Sequence, residues 1–247
     1  MMITKKDLLI EGIPLTIYNE NDGTKKPLLY FFHGFCSNRN KGIMGRGEIL
    51  ASKGYYVVAI DAYLHGERSI PRFDEKTQAE KNKDFFNIVM RTAQDAKYLY
   101  EKYFKFDEHV MPDKVYAYGV SMGASVAFYL ATIFEPLQTF ASIVGSPSFV
   151  EFYQYMKQMR GWDENDPYYL HNLQYYIGHD PLINYERLKD KNIFMGCGVD
   201  DYVVPYRFAE KLSTKLTGDH IVYKLYQTEH LSTPEMQEDA YRFLQEH

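Results

Sequence analysis

A serine suited to nucleophilic chemistry stands at position 121, in the run Gly119-Val-Ser-Met-Gly123. Glycines two residues to either side suit a sharp strand-to-helix turn, because a Cβ at those positions would clash where strand and helix nearly touch. Such a turn strains the serine backbone and presents its hydroxyl at the sheet edge. A serine hydroxyl is a weak nucleophile until a base takes its proton, so the motif needs a histidine and an acid to follow. Both follow. Ile193-Phe-Met-Gly-Cys-Gly-Val199 runs into Asp200-Asp201, and Ile221-Val-Tyr-Lys-Leu-Tyr226 leads through Gln-Thr-Glu to His230. The order Ser, Asp, His fits an acyl-transfer triad of nucleophile, orienting acid and general base. His220 precedes the last strand and belongs at the opposite end of the sheet, which favours His230 as the base. Asp200 and Asp201 are both within reach, and the residues alone leave that choice open.

Strands must carry these groups to one place. Lys114-Val-Tyr-Ala-Tyr118 is β-branched and aromatic, and Ser125 to Ala131 is rich in helix formers, as an elbow requires. Ser121, Asp201 and His230 are then expected after three successive strands of a parallel sheet, at the edge where ligands bind. The strand Pro27-Leu-Leu-Tyr-Phe-Phe32 ends in His33-Gly34-Phe35. Acyl transfer builds charge on the carbonyl oxygen, and two backbone N–H groups stabilise it. Met122, at a helix N-terminus, and Phe35, beside the permissive Gly34, are the expected donors. Elsewhere the pattern alternates: a strand pair at about 7–18, a turn at Asn21-Asp-Gly23, a helix near 43–53 and a strand at 55–60. A long helical segment from about 77 to 103 and a strand at 140–144 continue it. Pro205 is placed to open a helix after the acid, and another begins near Pro234. Such alternation predicts a single α/β domain over 1–247, with a mostly parallel sheet flanked by helices.

Five stretches together resemble small bacterial esterases of the YitV/YjfP type, an α/β-hydrolase group related to prolyl oligopeptidase catalytic domains and to dienelactone hydrolases. The resemblance runs from Phe31-Phe-His-Gly-Phe35 to the C-terminus. His33-Gly-Phe35 matches the oxyanion loop, and Asp61-Ala-Tyr-Leu-His-Gly-Glu-Arg68 matches a D-x-x-x-H-G-x-R segment. Gly119 to Gly123 matches the elbow. Gly198-Val-Asp-Asp-Tyr-Val-Val-Pro205 matches the acid motif, in which the aspartate four residues before the proline is catalytic, which selects Asp201. His230-Leu-Ser-Thr-Pro-Glu235 matches H-x-x-T-P-E, with His230 as base. The resemblance implies the α/β-hydrolase fold and hydrolase activity, and it leaves the natural substrate undefined.

Two further regions bear on the pocket. Asp61 and His65-Gly-Glu-Arg68 follow the 55–60 strand at the triad's edge. Arg68 either binds a substrate carboxylate or closes an internal salt bridge; a single loop arginine says little about ligands, so the salt bridge is the expectation. Pocket lining by His33, His65 and Arg68 is the alternative. Between the 140–144 and 193–199 strands lies an insertion of about 149–190, expected as a small, aromatic-rich helical cap over the nucleophile. Its Phe149, Phe152, Tyr153 and Met156 are candidates to wall an acyl pocket, and Met159 is a further one. Packing of the cap onto the body, or burial of a homodimer face, would use the same aromatics.

Composition narrows the partners. A net charge of −5 without a basic cluster makes nucleic acid an unexpected ligand. Asp7 and Glu11 interrupt the only apolar run near the N-terminus, so neither signal peptide nor membrane contact is expected. Two cysteines, Cys36 and Cys197, read as buried free thiols and suggest a cytoplasmic home. No zinc-ligand spacing is present, and no metal or cofactor is expected. The expected partner is a small ester, cleaved by a serine carboxylesterase with a short acyl pocket. A prolyl-oligopeptidase-type peptidase would carry a large N-terminal propeller, and the first core strand already begins by residue 27. An acyl-CoA thioesterase would need a basic patch for the phosphoadenosine. A non-catalytic hydrolase-fold binding protein would usually have lost a triad residue.

Overall fold

The computed structural model describes residues 2–247. Eight strands form one sheet: β1 (Ile3–Ile10), β2 (Ile13–Glu20), β3 (Lys26–Phe32), β4 (Tyr56–Ile60), β5 (Val110–Val120), β6 (Leu137–Ile143), β7 (Asn192–Gly198) and β8 (Ile221–Tyr226). Their order is β1-β2-β4-β3-β5-β6-β7-β8. β1 and β2 make an antiparallel hairpin, β2 runs antiparallel to β4, and the remaining pairings are parallel. This is the α/β-hydrolase fold that the sequence implies.

Side-chain alternation in the central strands explains the layers. Leu28, Tyr30 and Phe32 of β3 point into one core, and Leu29 and Phe31 point into the other. The first core is closed by α5 (Phe85–Lys102), α6 (Met122–Ile133), α7 (Phe149–Arg160), α8 (Pro167–Ile177) and α9 (Arg207–Ser213). The second is closed by α1 (Arg39–Ile43), α2 (Arg46–Ser52) and α10 (Pro234–Glu246). Two short helices, α3 (Pro71–Asp74) and α4 (Gln78–Lys83), precede α5.

Several expectations shift in detail: of the two thiols expected to be buried, Cys197 in β7 is, while Cys36, in the loop after β3, is exposed. β6 lies between β5 and β7, so the three candidate triad groups do not follow three adjacent strands. The helix expected near 43–53 is two short helices separated by Gly45, whose φ of 71° ends the helical path. The 77–103 segment breaks at Asp84, whose carboxylate is engaged by Lys76 and Tyr168 rather than facing solvent. α9 opens at Arg207, two residues past Pro205. The insertion between β6 and β7 contains α7, α8 and a 3-10 turn at Tyr185–Leu188.

Candidate active site

The elbow is enforced by backbone crowding. A Cβ on Gly119 would lie 2.2 Å from the Gly123 carbonyl oxygen, and one on Gly123 would lie 2.1 Å from that of Phe32. No side chain fits at either contact. Between them Ser121 adopts φ 55° and ψ −114°, a conformation that L-residues rarely adopt. The Ser121 N–H donates to the Ile143 carbonyl at 2.8 Å, so the end of β6 clamps the turn.

Two loops bring the partners. Glycine at 198 lets the end of β7 lie against the loop after β8, where a Cβ would meet the Thr228 and Glu229 carbonyls at 2.5 Å. Ser121 Oγ then stands 2.9 Å from His230 Nε2, and His230 Nδ1 stands 2.7 Å from Asp201 Oδ2. Asp201 is buried, and its Oδ1 accepts the Val203 and Val204 N–H groups at 2.9 and 2.8 Å. That geometry leaves Oδ2 free to accept from Nδ1–H, which places the Nε2 lone pair toward the serine. Asp200 is exposed, with no side-chain hydrogen bond among the described residues; only its backbone N–H donates, to Thr228. Burial and position thus set Asp201, and not Asp200, against His230.

His33 and Gly34 shape the neighbouring loop. A Cβ on Gly34 would sit 3.7 Å from the Ser121 Cβ, so the loop runs directly beside the candidate nucleophile. His33 is buried; its Nε2 accepts the Ala62 N–H at 3.0 Å, and its Nδ1–H donates to the Gly34 carbonyl at 2.8 Å. This pairing fixes one neutral tautomer, and burial lowers the imidazole pKa to about 4. The Gly34 carbonyl also accepts from the Ser37 N–H. In a trans peptide the N–H points away from the carbonyl, so holding Gly34 O also aims the Phe35 N–H. Neither the Phe35 nor the Met122 N–H donates to a protein acceptor among the described residues. Met122 is the first residue of α6, where the N–H groups have no partner within the helix.

A cavity of about 470 Å³ opens over Ser121 and His230. Phe35, Phe85, Phe152, Tyr155, Met156 and Met159 supply most of its apolar lining. The other candidates lie elsewhere. Phe149 and Tyr153 do not line it; they lie on the flank of α7 adjoining Met156 and pack into the core against Phe86 and Tyr176. His33 is buried beneath the loop. His65 lies behind Phe35, its ring 5.1 Å from that of Phe35, and Arg68 is 2.7 Å from Asp95 in an internal ion pair. Sequence reasoning overlooked Gln78, Asn82 and Phe85 on the facing wall and Tyr202 to Val204 beside Asp201. Phe149, Phe152, Tyr153 and Met156 share a helical spacing as regular as that of Phe152, Tyr155, Met156 and Met159, so spacing alone does not separate the lining residues of α7 from its core residues.

The chain is 26% identical over 214 residues to the Bacillus subtilis (strain 168) protein named "Putative esterase YitV", covering 83% of this chain and 81% of that protein. The structure of TT1662 from Thermus thermophilus superposes with a TM-score of 0.80 at 21% identity, over 100% of this chain and 98% of the other. Acetyl xylan esterase 1 from Thermoanaerobacterium sp. JW/SL YS485 superposes at 0.74 with 18% identity, over 99% and 83%. At these identities the structural likenesses establish the α/β-hydrolase fold. Residues 43–246 match the prolyl oligopeptidase family across most of the chain, elbow and both partner loops included, and the chain is therefore a hydrolase that belongs to that family.

Proposed function

We propose that the protein is a serine carboxylesterase acting on small esters with short acyl groups. The observation that carries this reading is the continuous hydrogen-bond chain from Ser121 Oγ through His230 to the buried Asp201 carboxylate. Ser121 Oγ attacks the ester carbonyl carbon while His230 Nε2 takes the hydroxyl proton. The Phe35 and Met122 N–H groups receive the oxyanion, and Asp201 stabilises the imidazolium. The tetrahedral intermediate collapses, its C–O bond to the alcohol breaks, and His230 returns the proton to the departing oxygen. Water, deprotonated by the same imidazole, then releases the acid from Ser121.

A short acyl preference rests on the bulky Phe35, Phe85 and Phe152 side chains around Ser121. Each methylene accommodated contributes at most about 0.8 kcal/mol, so specificity climbs only until the cavity ends. The names of the Bacillus relative and the xylan esterase favour ester over amide. Peptide cleavage is the second reading, because the family includes peptidases in its name.

The test joins one variant to a substrate series. Ser121→Ala should lose at least about 10³-fold in kcat and all labelling by a fluorophosphonate, with the melting temperature near wild type. Across p-nitrophenyl esters from acetyl to palmitoyl, kcat/KM should peak at short chains and exceed that for a proline-containing peptide amide. A variant keeping a tenth of the rate sinks the nucleophile. A maximum at twelve carbons or beyond, or peptide turnover rivalling acetate or butyrate hydrolysis, sinks the substrate class.

A further inference from the structure

Residues 152, 155, 156, 159 and 160 of α7, spread over a broad arc of the helix, all line the cavity that holds Ser121 and His230. The first four are Phe152, Tyr155, Met156 and Met159. The fifth is Arg160, and it continues an apolar stripe with a guanidinium. It supplies the cavity lining's one permanent charge, for no Asp or Glu contributes to that lining. Among the described residues Arg160 makes no ion pair and no side-chain hydrogen bond, whereas Lys157, the other cation in that last turn, lies 3.9 Å from Glu164. The helix C-terminus favours both cations, Arg160 is exposed, and of the two only Arg160 lines the cavity. The neutral amides of the cavity already have partners: Gln78 Nε2 donates to Asn82 Oδ1 at 2.7 Å, and Cys36 Sγ lies 3.5 Å from Gln78 Oε1.

We propose that the ester cleaved at Ser121 carries a carboxylate at the end remote from its scissile carbonyl, and that Arg160 recognises that group. The inference rests on the serine-esterase reading and adds its substrate class. Arginine suits the task because its planar donor fork matches a carboxylate in two parallel hydrogen bonds. The anion sits on either the acyl or the alcohol side, and two matched pairs of substrates distinguish them. Monoethyl adipate against ethyl hexanoate tests the acyl side, and 4-acetoxybutanoate against butyl acetate tests the alcohol side, each followed by proton release.

One anionic ester should exceed its neutral partner in kcat/KM, and added salt should shrink that advantage. Arg160→Met should reduce the anionic-to-neutral ratio by about fivefold or more, through KM. That is the effect of a charge-assisted bond discounted for a guanidinium that water reaches. Arg160→Lys should retain part of the preference. An equal ratio in wild type and Arg160→Met for both pairs overturns the inference while leaving the esterase reading intact. If none of the four esters is hydrolysed, the esterase reading fails. The same two anionic esters titrated calorimetrically into Ser121→Ala and Ser121→Ala/Arg160→Met then decide: tighter binding with Arg160 upholds anion recognition, and equal or absent binding overturns it.

Discussion

The elbow and the cap face one another across the same cavity, yet different forces hold them. The elbow is a matter of sterics: at Gly119 and Gly123 an added Cβ would stand 2.2 Å or less from a backbone oxygen, and Ser121 is clamped by one hydrogen bond that its N–H donates to β6. The cap is held by distributed packing. Phe149 stacks on Phe86 with ring centroids 4.2 Å apart, and Tyr153 meets Tyr176 and Tyr169 at 4.9 and 5.2 Å. Each such pair adds about 0.5–1.5 kcal/mol beyond the area it buries. Polar latches supplement them, from Lys83 to Asp166 and from Tyr168 to Asp84. A sterically fixed turn places one hydroxyl to within a fraction of an ångström, as chemistry requires. Distributed packing tolerates change at any one position, as a substrate wall can.

That contrast predicts that damage to the catalytic edge reads out in kcat and damage to the cap reads out in KM and stability. The largest effect belongs to Asp201→Asn. An asparagine there cannot balance the imidazolium and offers His230 the wrong hydrogen-bonding pattern, an effect of up to ~10⁴-fold in a known triad. Asp200→Asn, at an exposed position, should cost less than about tenfold. Comparing kcat for the two variants decides the matter, and the reverse ranking would mean that the buried carboxylate is merely structural.

A smaller, different loss is expected at Asp180, which is buried where the cap begins. Its Oδ2 accepts the Phe149 and Val150 N–H groups at 2.9 and 2.8 Å, and its Oδ1 accepts that of Leu182 at 2.7 Å. Burial raises the Asp180 pKa above its ordinary value, and these backbone donors oppose the rise. Asp180→Asn turns an amide group toward N–H donors and leaves buried groups unpaired, at a cost of about 1–3 kcal/mol. The start of α7 should loosen, with a lower melting temperature and a several-fold higher KM for butyrate esters. Fluorophosphonate labelling of Ser121 should persist. A fall in kcat at unchanged KM and melting temperature would erase the distinction between the two walls.

The same distinction explains what the sequence made legible. A steric rule leaves a fixed spacing, so Gly119, Ser121 and Gly123 announce the elbow, and chain order then points to His230. Residue types alone did not separate Asp201 from Asp200, because the burial that distinguishes them depends on how the loop after β7 packs. Packing leaves only composition: the cap was recognisable as aromatic, while the core-facing roles of Phe149 and Tyr153 depended on how α7 is rotated over Phe86. Arg68 meets Asp95 on α5, 27 residues away, and no local spacing encodes that partner. The position of β6 between β5 and β7 follows from sheet order, which alternation of strands and helices does not specify.

His33 offers the subtlest test, because it supports the rigid wall through a protonation state. Its Nε2 must stay unprotonated to accept the Ala62 N–H, and its folded pKa of about 4 lies below the ordinary value of 6.5. Between those values the unfolded chain binds a proton that the folded one does not, so stability rises with pH across this window. The contribution of His33 is complete above about pH 6.5 and is lost as pH falls toward 4. At 1.36 kcal/mol per pH unit, the loss reaches about 2 kcal/mol by pH 5. Burial also lowers the His65 pKa, which adds a loss of the same sign. His33→Gln keeps an acceptor for Ala62 without a titrating ring. Its unfolding free energy in urea should therefore fall less between pH 7 and pH 5 than that of wild type, by an amount approaching that figure. If the two proteins lose stability in parallel, the buried imidazole is not what makes the catalytic edge sensitive to acid.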